Sequence, residues 1–483
     1  MPFTSLDFAL FFGIVLVVNW RLRNNPRVYP PTLLVFNLVF YGMGAPKFLP
    51  LLLVVAFLNW NAARLLGPET QGGLRKLVIA LDVTLNLAIL AFFKYFDFIL
   101  ITLEDLGMSL HGGLFSLPEI VYPVGLSFFT FQGLSLAIDK YRDPELETPS
   151  FLRTFVFVSF FPTVLSGPIQ RFAPFDAQLS DPKPKPTDCS LAITLILTGL
   201  FKKVALSSYL SEQVVRGVFQ MPDQYSFLGV LGAVYGYGAQ IYLDFSGYSD
   251  LAQGVGLLIG FDVGENFNSP YLATNIRDFW RRWHISLSSW LRDYLYFPLG
   301  GSRKGSTSLN LIITQTLGGL WHGAHLRYVL WGLGHGILLA VTHLRLAAKK
   351  RREKAMDALN LKSWQRPERS HPRLKAFLAF LLTFHAVHLL WIPFRADTTE
   401  RAWEVFTAIF DFSRPGEGTP LLAWLIVLLT IFGQWAGKEI KALMTAFQSR
   451  LSLPALSLWC AFWVIMILRL GPDGVLPFIY FQY

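Results

Sequence analysis

Apolar stretches long enough to enter or cross a bilayer recur along the whole 483-residue chain. A helix that spans the hydrocarbon core needs about 20 mostly apolar residues. No polar segment between these stretches is long enough to fold as a separate soluble domain. The pattern therefore predicts an all-α polytopic membrane protein, with residues 1–483 forming one integral-membrane domain.

The candidate membrane segments share a run of apolar and aromatic side chains and cover residues 6–22, 32–44, 48–66, 77–101, 120–138, 151–168, 190–220, 226–260, 308–322, 325–346, 374–394, 420–436 and 454–472. Several are too short to cross unaided. Such segments predict re-entrant or half-length helices, which are tolerated only when buried in protein or lining a cavity. We expect about ten to twelve true spans.

The composition excludes most soluble classes of protein. Only 15% of the residues are charged and 53% are apolar or aromatic, whereas soluble domains average about 25% charged residues. The two cysteines, Cys189 and Cys460, exclude a disulfide framework and a multi-cysteine metal site. The net charge of +10 is typical of cytoplasmic loops that face anionic lipid, and we do not read it as nucleic-acid binding.

The basic residues predict the orientation in the membrane. From His343 to Lys375 the chain has eleven Lys or Arg residues and three Asp or Glu residues. Positively charged loops stay in the cytoplasm, so we expect a cytoplasmic basic loop at about residues 345–375. Arg21–Arg27 is also basic, which predicts that the first helix ends in the cytoplasm.

The residues that could carry chemistry concentrate in 262–336, within a core motif region of 240–346. From Arg277 to Phe297 tryptophans and leucines recur every three or four residues, which predicts an amphipathic helix. Arg277, Arg281 and Arg282 make its polar face able to hold phosphate groups. The same residues would serve equally as an interfacial lipid anchor.

His322 is the strongest candidate for a reacting side chain. It lies in an otherwise membrane-like stretch, and an imidazole at membrane depth usually faces a cavity or a pathway. His284, beside the arginines, is the second candidate. His325 lies three residues after His322, but no Asp or Glu occurs between Asp293 and His343 to complete a metal site, so we expect none.

The remaining polar candidates are expected to support the path or the packing. We expect Asp244, Trp321 and His325 to be tunnel-lining or structural residues, and Asp250 to be a hydrogen-bond partner. Asp244 and Asp250 are six residues apart, so they do not form a paired acid and base. His335 is expected to pack on the next helix, and His385 and His388 to make structural hydrogen bonds.

A histidine-centred site in the membrane suits the transfer of an acyl group to an alcohol. The chain has no P-loop, no dinucleotide fingerprint, no G-x-S-x-G elbow and no HExxH. A hydroxyl group is a poor nucleophile until a base removes its proton, and neutral imidazole does this well at neutral pH. A thioester donor then needs mainly orientation and stabilisation of the oxyanion.

Two motifs carry a resemblance to a known family: FWRRWHISLSSWLRDYLYFPLGG and, about forty residues later, GLWHGAHLRYVLWGLGHG. With them the chain resembles the membrane-bound O-acyltransferase family, and within it the bacterial branch that acetylates exported polysaccharides such as alginate. Supporting stretches share the family's order along the chain: YPVGLSFFTFQGLSLAIDKYR, SGPIQRF, QIYLDFSGYSDLAQGVGLLIGF, NFNSPY, HLLWIPFRAD and PFIYFQY.

The resemblance implies a ring of tilted helices around a central tunnel, in a multi-pass protein of the bacterial inner membrane. It implies that His322 is the catalytic histidine and that His284 is the second motif residue. It also implies acetyl-CoA as the donor substrate, with no bound cofactor. The partner would be a separate periplasmic SGNH-type acetyltransferase, which esterifies the exported polysaccharide.

The sequence leaves the acyl donor and the acceptor open. A D-alanyl transferase of the same family takes its acyl group from a carrier protein. It contains a stretch that resembles the SGPI of SGPIQRF in this chain. A transporter or flippase for a lipid-linked glycan is the alternative from another class. The acceptor could be alginate, cellulose, peptidoglycan or another glycan.

Overall fold

The computed structural model describes residues 1–105, 121–182, 188–358 and 371–471, and no β-strand occurs in these ranges. The described helices are α1 Leu6–Leu22, α2 Tyr29–Gly44, α3 Leu49–Leu65, α4 Gly72–Asp105, α5 Leu126–Arg142, α6 Phe151–Ser159, α7 Phe172–Ser180, α8 Cys189–Gln220, α9 Phe227–Leu258, α10 Ile276–Arg282, α11 Ile285–Leu291, α12 Thr307–His322, α13 Leu326–Ala358, α14 Pro372–Arg395, α15 Thr399–Ala408, α16 Leu421–Gln448 and α17 Leu453–Leu470. This confirms the all-α prediction.

Seven helices in the described ranges are long and apolar enough to cross a membrane: Pro46–Leu65, Gly72–Phe96, Cys189–Gln220, Leu326–Ala358, Pro372–Arg395, Leu421–Gln448 and Leu453–Leu470. This is consistent with a multi-pass membrane protein. The number is below the about ten to twelve expected. Part of the difference comes from four helices that are slightly shorter than the about 20 residues of a membrane span. These are α1, α2, α5 and α12, which have 16 or 17 residues.

The helices fall into two compact units. The first contains Met1–Ala205, Phe245–Glu265 and Leu443–Tyr483, and the second contains Leu206–Asp244 and Asn266–Ala442. In the first unit α8 and α9 approach closely at two glycines, where an added Cβ on Gly199 would lie 2.7 Å from the carbonyl oxygen of Gly247. Such small-residue contacts are typical of helices packed in membranes.

Two expected segments differ from the structure in detail. The predicted segment 151–168 is helical only in α6, and the chain then turns through Pro162 and Gly167. The basic stretch expected as a loop begins as helix, because α13 continues to Ala358 with its charged residues exposed. Residues 359–370 and the motif PFIYFQY lie outside the described residues.

A buried arginine joins the first helix to the end of α9 within the first unit. Arg23 is 1% exposed. Its guanidinium donates hydrogen bonds to the carbonyl oxygens of Ile259 and Gly260 and to the hydroxyl of Tyr29. The last carbonyls of a helix have no partner within the helix, so Arg23 satisfies the C-terminal end of α9. Gly260 has φ +84°, and a Cβ there would lie 2.7 Å from the guanidinium.

We expect Arg23→Met to lower the stability of the protein. Methionine still fills much of the space of the arginine side chain, so the loss comes mainly from the hydrogen bonds. The change leaves the buried carbonyl of Gly260 without its donor, at a cost of about 1–3 kcal/mol, and leaves that of Ile259 with only the longer bond of 3.3 Å from Asn19. Thermal unfolding in detergent measures the effect. Arg21→Met is the matched control, because Arg21 is exposed. Equal unfolding temperatures for the two variants would contradict this role of Arg23.

Candidate active site

His284 lies at a break between two short helices. The sequence predicted one helix from Arg277 to Phe297, but α10 ends at Arg282 and α11 begins at Ile285. His284 occupies the left-handed region with φ 42°, a conformation that costs about 1–2 kcal/mol for most residues. The break buries Trp283 and His284, which are 2% and 1% exposed. The strained backbone therefore turns the histidine inward.

A hydrogen-bond network around Asn266 assigns the protonation of His284. The Oδ1 atom of Asn266 accepts from the backbone N–H of Ser286 at 3.1 Å and lies 3.1 Å from Nδ1 of His284. A backbone N–H can only donate, so the Asn266 atom is the oxygen and Nδ1 of His284 donates to it. In the neutral ring Nε2 is then a hydrogen-bond acceptor.

Burial keeps His284 neutral. Removal from water disfavours the charged imidazolium and lowers the pKa of His284 to about 3. A group with so low a pKa is a weak base near neutral pH. With its proton on Nδ1, His284 also has no donor at Nε2 to polarise a thioester carbonyl. Polarisation of a carbonyl by Nε2 therefore does not fit this geometry, whereas acceptance of a hydrogen bond at Nε2 does.

His322 is the last residue of α12 and lies in an aromatic cluster. The α12–α13 hairpin is tightly packed, because Gly319 and Gly332 face each other with no room for side chains. His322 is buried, with 7% of the residue exposed. The centroid of its ring lies 5.1 Å from those of Trp331 and Phe394, both nearly perpendicular to it. The imidazole is thus held from two sides by rigid rings.

The two histidines share one neighbour, Trp321. Its indole lies 4.9 Å from the ring of His322 and 6.4 Å from the ring of His284, measured between centroids. Arg327 supports the cluster from the next helix. Its guanidinium donates to the backbone carbonyls of Phe394 and Ala396 and so fixes the end of α14 beside His322.

The other predicted residues are distributed more widely. His325 is exposed, outside this cluster. Within the described residues no group of three or more His, Cys, Asp or Glu side chains could hold a metal ion. Asp244 is buried in α9. Asp250 forms an ion pair of 2.6 Å with Lys202, in the first unit.

His385 and His388 make the structural hydrogen bonds expected of them. The Nδ1 atom of each donates to the carbonyl oxygen four residues earlier in α14, at 2.7 Å in both cases. His335 is fully buried against Trp331 on its own helix, as expected of a packing residue.

A cavity of about 610 Å³ opens beside α10 in the second unit. Arg277 and Arg281 line it, four residues apart on one helix face. No hydrogen bond or ion pair joins either guanidinium to another residue in the described part of the chain. Hydroxyl and amide groups add to the polar lining: Ser288, Ser289, Tyr296, Ser302, Thr307, Thr314 and Gln315.

The other two arginines of this region are already paired. Arg282 donates from Nε to Asp278 at 3.0 Å and does not line the cavity. Arg292 lines the cavity but pairs with Asp293 through two contacts of 2.8 and 3.2 Å. Of the three predicted phosphate-binding residues, Arg277 and Arg281 are therefore brought together at the cavity and Arg282 is not.

The cavity opens toward the basic end of α13. His343 lines it, and the basic part of α13 follows directly in the sequence. Because basic segments stay in the cytoplasm, we expect the cavity to face the cytoplasmic side. Its inner wall includes Gln315 of α12. His322 comes seven residues later, about 10 Å further along the helix axis.

Sequence reasoning missed four residues of this site. Asn266 was noted only within the stretch NFNSPY, and Trp331, Phe394 and Arg327 were given no role. The signal for Asn266 was weak, because its partner His284 lies 18 residues away and nothing in the spacing predicts the contact.

Comparisons with known proteins match the chain to a family. Residues 120–348 match the membrane-bound O-acyltransferase family. The "probable alginate O-acetylase" of Pseudomonas aeruginosa is 36% identical over 415 residues, which cover 85% of this chain and 74% of that protein. The protein of the same name from Azotobacter vinelandii is 32% identical over 100% of this chain and 99% of its own length.

A third relative is named for the acetylation of peptidoglycan, where the first two are named for alginate. The peptidoglycan O-acetyltransferase of Helicobacter pylori is 32% identical over 410 residues, which cover 79% of this chain and 73% of that protein. Together with the multi-pass helices, these matches identify the chain as a member of the membrane-bound O-acyltransferase family, and thus as an O-acyltransferase.

Proposed function

We propose that this O-acyltransferase takes an acetyl group from acetyl-CoA at the cytoplasmic face and passes it across the inner membrane for O-acetylation of an exported polysaccharide. The observation that carries the proposal is the cavity beside α10. It holds two arginines without ion-pair partners among the described residues, and its wall continues through Trp280 into the aromatic cluster around His322.

The charges of the cavity favour a phosphorylated donor. Like charges four residues apart on a helix repel each other, so Arg277 and Arg281 are best accommodated with an anion between them. Coenzyme A carries a 3′-phosphate and a pyrophosphate, and guanidinium groups bind phosphate oxygens in a bidentate manner. The serine and threonine hydroxyls of the lining add further donors.

The chemistry assigned to His322 is general-base catalysis. As the acceptor hydroxyl attacks the thioester carbonyl, the imidazole takes its proton and a carbon–oxygen bond forms. The tetrahedral intermediate then expels the coenzyme A thiolate by breaking the carbon–sulfur bond, and the imidazolium returns the proton to that sulfur. His284 stays neutral and accepts a hydrogen bond from a substrate N–H or O–H at Nε2.

The acceptor is proposed from the relatives. They are named for the acetylation of alginate and of peptidoglycan, both polymers outside the cytoplasm. Support from this chain is the direction of α12, which leads from the cytoplasmic cavity to His322. We propose that a separate periplasmic acetyltransferase of the SGNH type receives the acetyl group and esterifies the polysaccharide.

We expect Arg277→Ala combined with Arg281→Ala to raise the KM for acetyl-CoA by about tenfold or more, because each lost charge-assisted hydrogen bond is worth about 1.5–3 kcal/mol. The KM for acetyl-pantetheine, which lacks the phosphates of coenzyme A, should change little. Steady-state assays of the purified protein in nanodiscs of constant lipid composition measure both donors.

Arg282→Ala is the matched control, because Arg282 pairs with Asp278 outside the cavity. Its KM for acetyl-CoA should stay near that of the wild type. Equal effects of the double substitution on both donors, or an effect that follows the anionic lipid content, would instead support a lipid anchor. Transfer from a D-alanyl carrier protein but not from acetyl-CoA would replace the proposed donor.

A further inference from the structure

Trp280 belongs both to the cavity and to the aromatic cluster around His322. It lines the cavity together with Arg277 and Arg281. Its ring also lies 5.7 Å from that of Trp331, and Trp331 lies 5.1 Å from His322, measured between centroids. The indole of Trp280 is therefore a wall that a donor thioester meets on its way from the cavity to His322.

One hydrogen bond fixes the orientation of this indole. The Nε1–H of Trp280 donates to Nδ1 of His335 at 3.3 Å. An indole nitrogen only donates, so Nδ1 of His335 is unprotonated and its proton lies on Nε2. His335 is fully buried between Trp280, Trp331 and Phe279.

Packing alone does not account for an imidazole at this position. In the described part of the chain Nε2 of His335 has no hydrogen-bond acceptor, and burial of a polar group without a partner is unfavourable. A leucine would fill similar space without that penalty. What the imidazole provides and leucine does not is the acceptor for Trp280.

We infer that His335 is a positioning residue that holds Trp280 as the inner wall of the donor cavity, and that this wall restricts the donor to a short acyl group. The inference rests on the proposed donor site. A fixed indole leaves room for acetyl but meets the additional methylene groups of a longer acyl chain. A loosened indole rotates away and admits them, while the thioester loses its defined position relative to His322.

The test compares acetyl-CoA with butyryl-CoA as donors for the purified full-length protein. His335→Leu should lower kcat for acetyl-CoA by about tenfold, with little change in KM. It should also reduce the preference for acetyl over butyryl by about tenfold or more, since discrimination by one or two methylenes is of that order. Trp280→Phe removes the donor of the same hydrogen bond and should act alike, and the double variant should be no worse than either single variant.

His335→Asn is the rescue variant. The Oδ1 of asparagine is two bonds from Cβ, as Nδ1 of histidine is, so it can accept from the indole and should restore both rate and selectivity. An equal loss with both donors, unchanged selectivity, or additive single effects would overturn the inference. Should His335→Leu fail to fold, Trp280→Phe and His335→Asn decide the question. A wild type that uses no acyl-CoA at all overturns the proposed function, and the inference with it.

Discussion

Replacement of His322 by glutamine is expected to remove acyl transfer almost completely while the protein still folds and inserts in the membrane. Glutamine is polar and similar in size, so the ring contacts with Trp331 and Phe394 are lost without a large cavity. Loss of a general base lowers the rate by about 10²–10⁴-fold. Transfer of radiolabelled acetyl from acetyl-CoA measures the loss.

His325→Gln is the control for this substitution. His325 lies three residues further on and is exposed, so its replacement should leave transfer near the wild-type rate. A His322→Gln protein that turned over within about threefold of the wild type would contradict the assignment of the base. It would also revive the transporter alternative, which does not need an imidazole at this position.

Replacement of His284 by asparagine is expected to lower kcat/KM by about 5- to 150-fold, because a buried substrate donor left without its acceptor costs about 1–3 kcal/mol. Asparagine tolerates the left-handed backbone conformation, so it removes the Nε2 acceptor without much backbone strain. His284→Gln can bring its Oε1 near the former position of Nε2 and should retain more activity. Steady-state kinetics with acetyl-CoA compare the two variants.

The pH profile separates His284 from the reacting base. Because burial lowers the pKa of His284 to about 3, the side chain is neutral throughout the range from pH 5 to 8. An acidic limb of kcat/KM in that range should therefore persist unchanged in His284→Gln. Loss of that limb in His284→Gln would mean that His284 titrates during the reaction.

Hydropathy predicted the helices well because membrane helices must satisfy their own backbone hydrogen bonds. The predicted segments 6–22 and 308–322 agree with α1 and α12 to within one residue. Periodicity failed at His284, where tryptophans spaced three or four residues apart predicted a continuous helix. The break depends on Asn266, which binds His284 from outside that segment, and a local pattern contains no such contact.

Only part of the candidate site was predicted, because a local sequence pattern does not contain contacts between distant residues. His322 was identifiable because an imidazole is unusual in an apolar stretch. Arg281 and Arg282 are adjacent in sequence and equally basic, but their surroundings differ. Arg282 pairs with Asp278, four residues earlier, whereas Arg281 lines the cavity. The contact between Trp280 and His335 joins residues 55 positions apart, so only the packing of α10 against α13 reveals it.

The central claim is that an acetyl group enters at the cytoplasmic cavity and leaves on the other side of the membrane. It is tested most directly with membrane vesicles of known orientation, prepared from cells that contain the chain and its polysaccharide, and supplied externally with radiolabelled acetyl-CoA, which does not cross the bilayer. Inside-out vesicles should form polysaccharide esters that mild base releases, and vesicles that carry His322→Gln should form almost none. Equal labelling in right-side-out vesicles, or undiminished labelling with His322→Gln, would contradict the claim.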